Sequence, residues 1–287
     1  MRIANVSGRI ALIVGTSGRE AIDIERASQG RFKADPQALY ASWDDFVAWA
    51  KTTATTSSDA VAFADADLGP VTPLPPQVFA IGVNYGAHAK ESGLETATKP
   101  VVFTKFPSSV SGPFDTIELP AGSVDYEVEL VAVIGKRDEH VPAEKAWSYV
   151  AGLTMGQDLS ERELQLEGPS PQQFSMGKSY KGFTPIGPVL VTIDEFANPD
   201  DVKITTSING TELQNDRTSA MIFSIPKIIA FLSGVTPLLP GDLLFTGTPS
   251  GIGWSRSPKV LLKPGDELVT TGEGIGAMRH HFVAARH

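Results

Sequence analysis

Short apolar runs, separated by turns rich in glycine and proline, follow one another from Val78 to the end of the chain. Such runs, bounded by turn signals such as Asn209-Gly210, are typical of β-strands. Helical periodicity is clear in one segment of this region, Ser224–Ser233, whose Pro226 fits the first turn of a helix. Strands and helices do not alternate regularly, so the pattern predicts a strand-rich α+β or all-β fold. The predicted strands are Val78–Val83, Val101–Lys105, Val128–Gly135, Val150–Asp158, Val189–Thr192, Val202–Ile208, Leu243–Thr246 and Glu267–Thr271.

The first part of the chain has a different pattern and is predicted to form a small N-terminal domain, residues 1–72, ahead of a larger domain, residues 73–287. Arg9–Val14 is an apolar, β-branched run, and Ser42–Thr52 has the pattern of a short amphipathic helix that begins with an N-cap serine. Three prolines within residues 71–77 interrupt the pattern and mark the boundary.

The composition narrows the classes of function. The chain has 33 Asp and Glu against 24 Lys and Arg, a net charge of -9, whereas nucleic-acid binding needs clustered cations. The absence of cysteine excludes disulfides, thiolate nucleophiles and cysteine-ligated zinc. Neither a signal peptide nor an apolar stretch of about 18 residues is visible. We therefore expect a soluble, cytoplasmic protein without a nucleic-acid or membrane partner.

Acidic and apolar residues alternate in the segment Asp125–Leu130. Residues two apart in a strand share a face, so Asp125, Glu127 and Glu129 are predicted to project together. Carboxylates roughly 6–7 Å apart at their backbones repel one another. A hard cation such as Mg²⁺, Mn²⁺ or Ca²⁺ would remove that repulsion. A solvated edge strand would show the same alternation, so this segment alone leaves both interpretations open.

A further carboxylate, Asp158, ends the apolar run that begins at Val150. A side chain placed where a strand leaves the core is well placed to converge on a site as a third metal ligand. An aspartate ahead of a polar segment can equally cap a helix. Asp158 is therefore a candidate ligand whose own context does not decide its role.

A histidine–glutamate pair follows the strand predicted at Val78–Val83. If Asn84 caps a short helix, His88 and Glu91 are three residues apart and lie on one face of it. A carboxylate beside an imidazole orients the ring and favours its proton uptake, as a catalytic base requires. An ordinary surface pair would have the same spacing.

Other motifs carry less weight. His280 and His281 could bind metal, but neighbours in a terminal strand point to opposite faces. The stretch Gly177–Ser179 resembles the end of a phosphate loop, but Gln172 stands where the motif needs its first glycine. The chain contains no G-x-S-x-G elbow, so a serine hydrolase has no support.

Six short motifs occur in an order that resembles the fumarylacetoacetate hydrolase family. They are N-Y-x-x-H-x-x-E, K-F-P-S-S, D-Y-E-x-E-L, D-x-S-x-R-x-x-Q, G-K-S-Y-x-G-F-x-P-I-G-P and F-T-G-T-P-S-G-I-G. The similarity extends from about Val78 to Val283. It implies a mixed β-sandwich roll with a small N-terminal domain, usually dimeric, that holds Mg²⁺ or Mn²⁺, with Ca²⁺ as a substitute in a crystal.

The resemblance also implies roles for nine residues around one pocket. Three carboxylates hold the cation, a histidine–glutamate pair activates water, a lysine contacts the substrate or its developing oxyanion, and three polar residues contact the substrate. In that order the residues are Glu127, Glu129 and Asp158, then His88 and Glu91, then Lys178, and then Arg162, Gln165 and Thr248. Members that cleave fumarylacetoacetate have a further aspartate ligand seven residues before the histidine. Here that position is Ile81, which indicates the smaller acylpyruvate-type branch, together with its 2-hydroxyhepta-2,4-diene-1,7-dioate isomerases.

The function that the resemblance implies is hydrolysis of a carbon–carbon bond in a ketonic 2,4-dioxo acid, such as an acylpyruvate or a 2,4-diketo-3-deoxy sugar acid. The cation would accept the electrons of the departing enolate. Isomerases, oxaloacetate tautomerases and decarboxylases of 2-oxo acids share this enolate chemistry, so these activities stay open. A non-catalytic module that binds organic acids is a different class, and the complete His88–Glu91 pair argues against it.

Overall fold

Strands dominate the computed structural model, which describes residues 1–15, 18–52, 59–93, 95–170 and 172–285. The strands are β1 (Arg2–Val6), β2 (Arg9–Val14), β3 (Glu20–Asp23), β4 (Val61–Ala62), β5 (Leu68–Gly69), β6 (Val78–Gly82), β7 (Val101–Thr104), β8 (Val110–Ser111), β9 (Thr116–Leu119), β10 (Val124–Asp125), β11 (Val128–Ile134), β12 (Val150–Gln157), β13 (Ser160–Glu161), β14 (Thr184–Val191), β15 (Lys203–Ile208), β16 (Thr211–Arg217), β17 (Leu243–Phe245), β18 (Glu267–Gly272) and β19 (Gly276–Ala284).

The helices are short and lie between the strands. They are α1 (Ile24–Ala27), α2 (Trp43–Thr52), α3 (Gly86–Glu91), α4 (Arg162–Leu166), α5 (Phe174–Gly177) and α6 (Ile225–Ser233). Single 3₁₀ segments occupy Ala38–Ser42, Asp65–Asp67, Pro107–Ser109, Ala143–Tyr149, Ile193–Glu195 and Thr218–Ala220.

The strands form mixed sheets. The main sheet has the order β4-β3-β2-β1-β14-β12-β11-β17-β6-β7, with β5 beside β1 and β8 beside β14. A second sheet has the order β16-β15-β18-β19-β9, and β10 pairs with β13. The pairs β6–β17, β8–β14 and β9–β19 are parallel, and the other pairs are antiparallel. The strand-rich α+β prediction is confirmed.

The two central strands, β11 and β12, are buried along their whole length. Strands covered on both faces have nearly continuous apolar sequences, and here those are VELVAVI and VAGLTMGQ. Leu130 and Leu153 pack into the cluster that contains helix α6, whereas Val131 and Val133 face the cluster that contains helix α2. Because successive side chains of a strand point to opposite faces, these two strands contribute to the core on both sides of the main sheet.

Most predicted strands are observed within one or two residues, and helix α6 begins after its N-cap, Ser224. Strand β14 starts at Thr184, five residues before the predicted start at Val189. Its prolines, Pro185 and Pro188, concealed it, because proline lacks the N–H that a strand interior uses. Strand β16 was also missed, because its sequence TELQNDR lacks apolar alternation.

The N-terminal strands extend the main sheet, because β1 pairs with β14 at Arg2↔Val191. The division of the chain at residue 72 stays a prediction. No helix among the described residues is long and apolar enough to cross a membrane.

Candidate metal centre and active site

Three buried carboxylates converge where the two central strands end. Strand β11 begins at Val128, which is paired with Gln157 at the end of β12. Glu127, Glu129 and Asp158 therefore lie at the same end of this strand pair. The N–H of Asp158 donates to the carbonyl of Glu127 at 2.9 Å. One carboxylate oxygen from each of the three acids lies within 4.8 Å of the other two. The candidate ligands inferred from the sequence are therefore brought together.

The acidic segment is not the continuous strand that its alternation predicted. Strand β10 ends at Asp125, β11 begins at Val128, and Glu127 lies in the break between them. Asp125 is not one of the converging carboxylates. Arg162 Nη2 donates to Asp125 at 2.7 Å and to Glu127 at 2.6 Å, so Asp125 lies beside Glu127. Asp125 therefore anchors an arginine.

Two buried lysines form ion pairs with two members of the triad. Lys178 Nζ donates to Glu127 Oε2 at 2.8 Å and to Asp158 Oδ2 at 2.5 Å. Lys105 Nζ donates to Asp158 Oδ1 at 2.5 Å and to the carbonyl of Lys178 at 2.6 Å. Burial raises the pKa of Glu127, but Lys178 and Arg162 outweigh it and hold that pKa well below its ordinary value.

Glu129 differs from the other ligand candidates because none of the described cations forms an ion pair with it. Within the described part of the chain, its carboxylate accepts one hydrogen bond, from the N–H of Gly247 at 2.7 Å to Oε2. Burial, together with the charges of Asp158 and Glu127, raises the pKa of Glu129 well above its ordinary value. Four buried carboxylates, counting Asp125, thus face three buried basic groups, so full ionisation would leave one negative charge uncompensated, and the raised pKa of Glu129 reflects this imbalance.

This surplus of carboxylates over basic groups fits a bound divalent cation. Mg²⁺ and Mn²⁺ prefer oxygen ligands, and the triad offers three carboxylates with little exposure to competing water. Lys178 Nζ lies between two of them, so a cation bound there would compete with this ammonium group for the same oxygens.

The predicted histidine–glutamate pair is formed. His88 and Glu91 lie on helix α3, and His88 Nδ1 is 2.8 Å from Glu91 Oε1. A carboxylate can only accept, so this bond assigns the ring proton to Nδ1 and leaves Nε2 able to take up a proton. Asn84 is not the helix cap, because Tyr85 occupies that position. Asn84 is buried and donates to the carbonyls of Phe223 and Thr246, which fixes the turn ahead of the helix.

One loop, residues 247–254, donates backbone N–H groups to carboxylates in each part of the site. The donors and acceptors are Gly247 with Glu129 (2.7 Å), Gly251 with Glu91 (2.9 Å), and Gly253 and Trp254 with Asp125 (2.8 and 3.0 Å). At Gly253 a Cβ would overlap the carbonyl oxygen of Val260, so glycine is required for this approach. The loop therefore couples the carboxylate triad, the His88–Glu91 pair and the carboxylate that anchors Arg162.

A cavity of about 470 Å³ opens onto these groups. All nine residues implied by the family resemblance line it, and its apolar walls include Phe103, Phe174 and Ile252. Gln165 Oε1 accepts from Arg162 Nη1 at 2.9 Å, so these two polar residues are held together. The sequence analysis gave Lys105 no role. The signal available for it was its place as the first residue of the motif K-F-P-S-S, at the end of the predicted strand Val101–Lys105.

Comparisons with known proteins extend over most or all of the chain. Residues 77–283 match the family model described as fumarylacetoacetate (FAA) hydrolase C-terminal. Oxaloacetate tautomerase Fahd2a, mitochondrial, of Rattus norvegicus is 42% identical over 218 residues, which are 75% of this chain and 69% of that protein.

Solved structures show the same architecture. A candidate HpcE protein from Mycobacterium smegmatis is 51% identical, with a TM-score of 0.93 and coverage of 100% of both chains. Maleylpyruvate hydrolase from Sphingobium sp. SYK-6, solved in complex with manganese (II) ion and pyruvate, is 26% identical, with a TM-score of 0.81 and coverage of 100% of both chains. The fold expected from the motifs is therefore confirmed.

Proposed function

Because the chain belongs to the fumarylacetoacetate hydrolase family, we propose that it binds a 2-oxo acid in the cavity beside the carboxylate triad and interconverts its keto and enol forms. The observation that carries this proposal is the His88–Glu91 pair, which lines the same cavity as Glu127, Glu129 and Asp158. One positioned base next to a cation site is the minimum that enolisation of a 2-oxo acid requires.

The cation proposed for the triad is Mg²⁺ or Mn²⁺, which would supply Lewis acidity that stabilises negative charge on an oxygen of the substrate. The manganese in the similar maleylpyruvate hydrolase supports this assignment. Glu127, Glu129 and Asp158 would hold the cation, and Lys178 would remain beside two of them.

The proton transfers fall to His88. In the keto acid, Nε2 removes a proton from C3, the carbon next to the 2-oxo group, and the electrons of the C–H bond form the C2–C3 double bond. The resulting imidazolium is stabilised by the Glu91 carboxylate at Nδ1. Return of the proton to the 2-oxo oxygen gives the enol, and the reverse sequence gives the keto form. Glu91 is held in place by the N–H of Gly251.

Tautomerisation is placed ahead of the hydrolysis expected from the sequence because the Rattus norvegicus relative is an oxaloacetate tautomerase. Hydrolysis of a 2,4-dioxo acid is the second candidate, and a specific observation favours it. Lys178 Nζ uses two of its three N–H groups on carboxylates, so the third can donate to an oxyanion on the distal carbonyl. In that reaction His88 would deprotonate water instead of C3.

One experiment separates these candidates. Purified protein is supplied with Mg²⁺ or Mn²⁺, and the decay of enol-oxaloacetate absorbance and the release of pyruvate from acylpyruvates are followed. Cation-dependent enol decay that is lost on adding EDTA and in His88→Gln supports tautomerisation. Cation-dependent pyruvate release at a comparable rate would transfer the assignment to hydrolysis. If neither reaction exceeds the uncatalysed rate, enzymatic enolate chemistry is contradicted. The homodimer implied by the resemblance and the cytoplasmic location stay predictions.

A further inference from the structure

Gln214 lies on strand β16, is 1% exposed, and makes three hydrogen bonds behind the wall of the cavity. Its Oε1 accepts from the N–H of Val128 at 3.0 Å. Its Nε2 donates to Thr248 Oγ1 at 2.8 Å and to the carbonyl of Pro249 at 2.9 Å. The side chain therefore links the start of β11 to the loop at residues 247–254.

The orientation of this amide is determined by its partners. Rotating it by half a turn would place two donors together at Val128 and two acceptors together at Pro249. Because the group is buried, each such mismatch would leave unsatisfied polar atoms, which cost about 1–3 kcal/mol each. Nε2 must therefore face Thr248.

This orientation has a consequence for the hydroxyl group of Thr248. Its oxygen already accepts from Gln214, so its own hydrogen must point away from that donor. None of the described residues accepts that hydrogen, and Thr248 is one of the residues that line the cavity. Thr248 therefore presents a donor to the cavity, complementary to a carboxylate or oxo oxygen.

We propose that Gln214 is a positioning residue, which holds the Thr248 hydroxyl as a hydrogen-bond donor to an oxygen of the bound 2-oxo acid. This inference rests on the proposed function, because that function supplies the acceptor. Gln214 does not line the cavity itself and acts through Thr248.

A similar contact supports the neighbouring backbone. At the break between β10 and β11, three consecutive N–H groups, of residues 126 to 128, are bonded by side-chain oxygens, the last two by buried glutamine amides. Gln214 accepts the N–H of Val128, and Gln157 Oε1 accepts that of Glu127 at 2.9 Å. Gln214 thus has two separable contributions, because its oxygen supports the backbone whereas its nitrogen orients Thr248.

The test separates these contributions with Gln214→Glu, which keeps an acceptor for Val128 and, once ionised, cannot donate to Thr248. The measured quantity is the affinity of the Mn²⁺-loaded protein for pyruvate, by titration calorimetry. The matched control is Asn215→Asp, the same amide-to-acid change on the exposed side of the strand. Thr248→Val, Thr248→Ser and the double variant Gln214→Glu/Thr248→Val complete the set.

We expect Gln214→Glu and Thr248→Val each to weaken pyruvate binding roughly 10- to 100-fold, the effect of losing a hydrogen bond to a charged group. The double variant should match Thr248→Val alone, and Thr248→Ser and Asn215→Asp should bind like the wild type. The loss in Gln214→Glu should grow as pH rises, since a protonated carboxyl group can still donate. A purely structural disturbance would instead add to the loss in Thr248→Val, so the double variant distinguishes the two.

Wild-type affinity in Gln214→Glu, or a double variant that loses the sum of both effects, would overturn the inference while leaving the proposed function intact. Failure of the Mn²⁺-loaded wild type to bind pyruvate would overturn the proposed function and this inference with it. If Gln214→Glu does not fold, the pair Thr248→Ser and Thr248→Val provides the test. Equal affinity in those two variants would show that the hydroxyl makes no contact.

Discussion

Replacing Glu129 with glutamine is expected to stabilise the metal-free protein and to abolish its stabilisation by divalent cations. Glu129 is buried and is the member of the triad without a cationic partner among the described residues. The substitution removes a carboxyl group whose ionisation is opposed by burial and by the neighbouring acids, and it keeps an oxygen that can accept the N–H of Gly247. The new amide N–H groups would face the carboxylates of Glu127 and Asp158, which are strong acceptors.

The expected magnitude follows from these contacts. Removing a buried polar mismatch of this kind is worth about 1–3 kcal/mol, and a chain of this size gains about 2 °C in Tm per kcal/mol. The metal-free variant should therefore unfold about 2–6 °C above the metal-free wild type. For the wild type, a cation at about 100 times its Kd adds about 2.7 kcal/mol, or about 5 °C.

The assay is thermal unfolding in EDTA, in excess Mg²⁺ and in excess Mn²⁺. Glu118→Gln is the matched control, because it makes the same chemical change at an exposed position of strand β9. The wild type and the control should show a cation-dependent rise in Tm, and Glu129→Gln should show none. A variant less stable than the wild type in EDTA, yet still stabilised by Mn²⁺, would refute the charge argument and the assignment of Glu129 as a ligand.

Three further changes test other parts of the site and of the core. Replacing His88 with glutamine should lower turnover about 10²- to 10⁴-fold while the Mn²⁺ affinity measured by calorimetry stays within a few-fold, and unchanged turnover would contradict the role of the dyad. Lys105→Met leaves Asp158 Oδ1 without its buried cation and should cost about 3–5 kcal/mol in EDTA; because a bound cation offsets part of this loss, the Tm rise caused by Mn²⁺ should be larger than in the wild type. Burial lowers the pKa of His280 to about 4, so the unfolded chain takes up the proton first, and stability should fall by up to about 3 kcal/mol as pH drops from about 6.5 towards 4. Urea unfolding of the wild type and His280→Asn over that range checks this, and identical pH profiles would argue against it.

The sequence carried enough information to predict the buried strands but not the polar or proline-containing ones. Strands β11 and β12 have continuous apolar sequences, because both of their faces are covered. The polar strand β16 is in the sheet because an Asn209-Gly210 turn places it beside β15, and such a pairing cannot be read from hydrophobicity. The assignment of His280 and His281 to opposite faces is confirmed, since His280 is buried and His281 is exposed.

The candidate site could be predicted as a list of residues, whereas the connections among them could not. Motif order named the three acids that converge in the structure and the His88–Glu91 pair that is formed there, whereas their roles as ligands and base stay predictions. Lys105 and Gln214 were missed because their roles depend on tertiary distances to residues 53 and 34 positions away, Asp158 and Thr248. The amides of the loop at residues 247–254 were missed for a related reason, since backbone N–H groups leave no residue-type signal except the glycines that permit their approach.

The charge balance of the buried groups also orders the binding events that the proposed function requires. Without a divalent cation the four carboxylates outnumber the three cations by one, so the site has no excess positive charge that could attract an organic acid anion. A divalent cation bound to the ionised triad gives the site one excess positive charge, and in a buried site that charge is only weakly screened. We therefore expect pyruvate binding to be undetectable in EDTA and to appear with Mn²⁺. Equal pyruvate affinity in both conditions would mean that Arg162, Lys178 or His88 binds the anion and that the triad has another role.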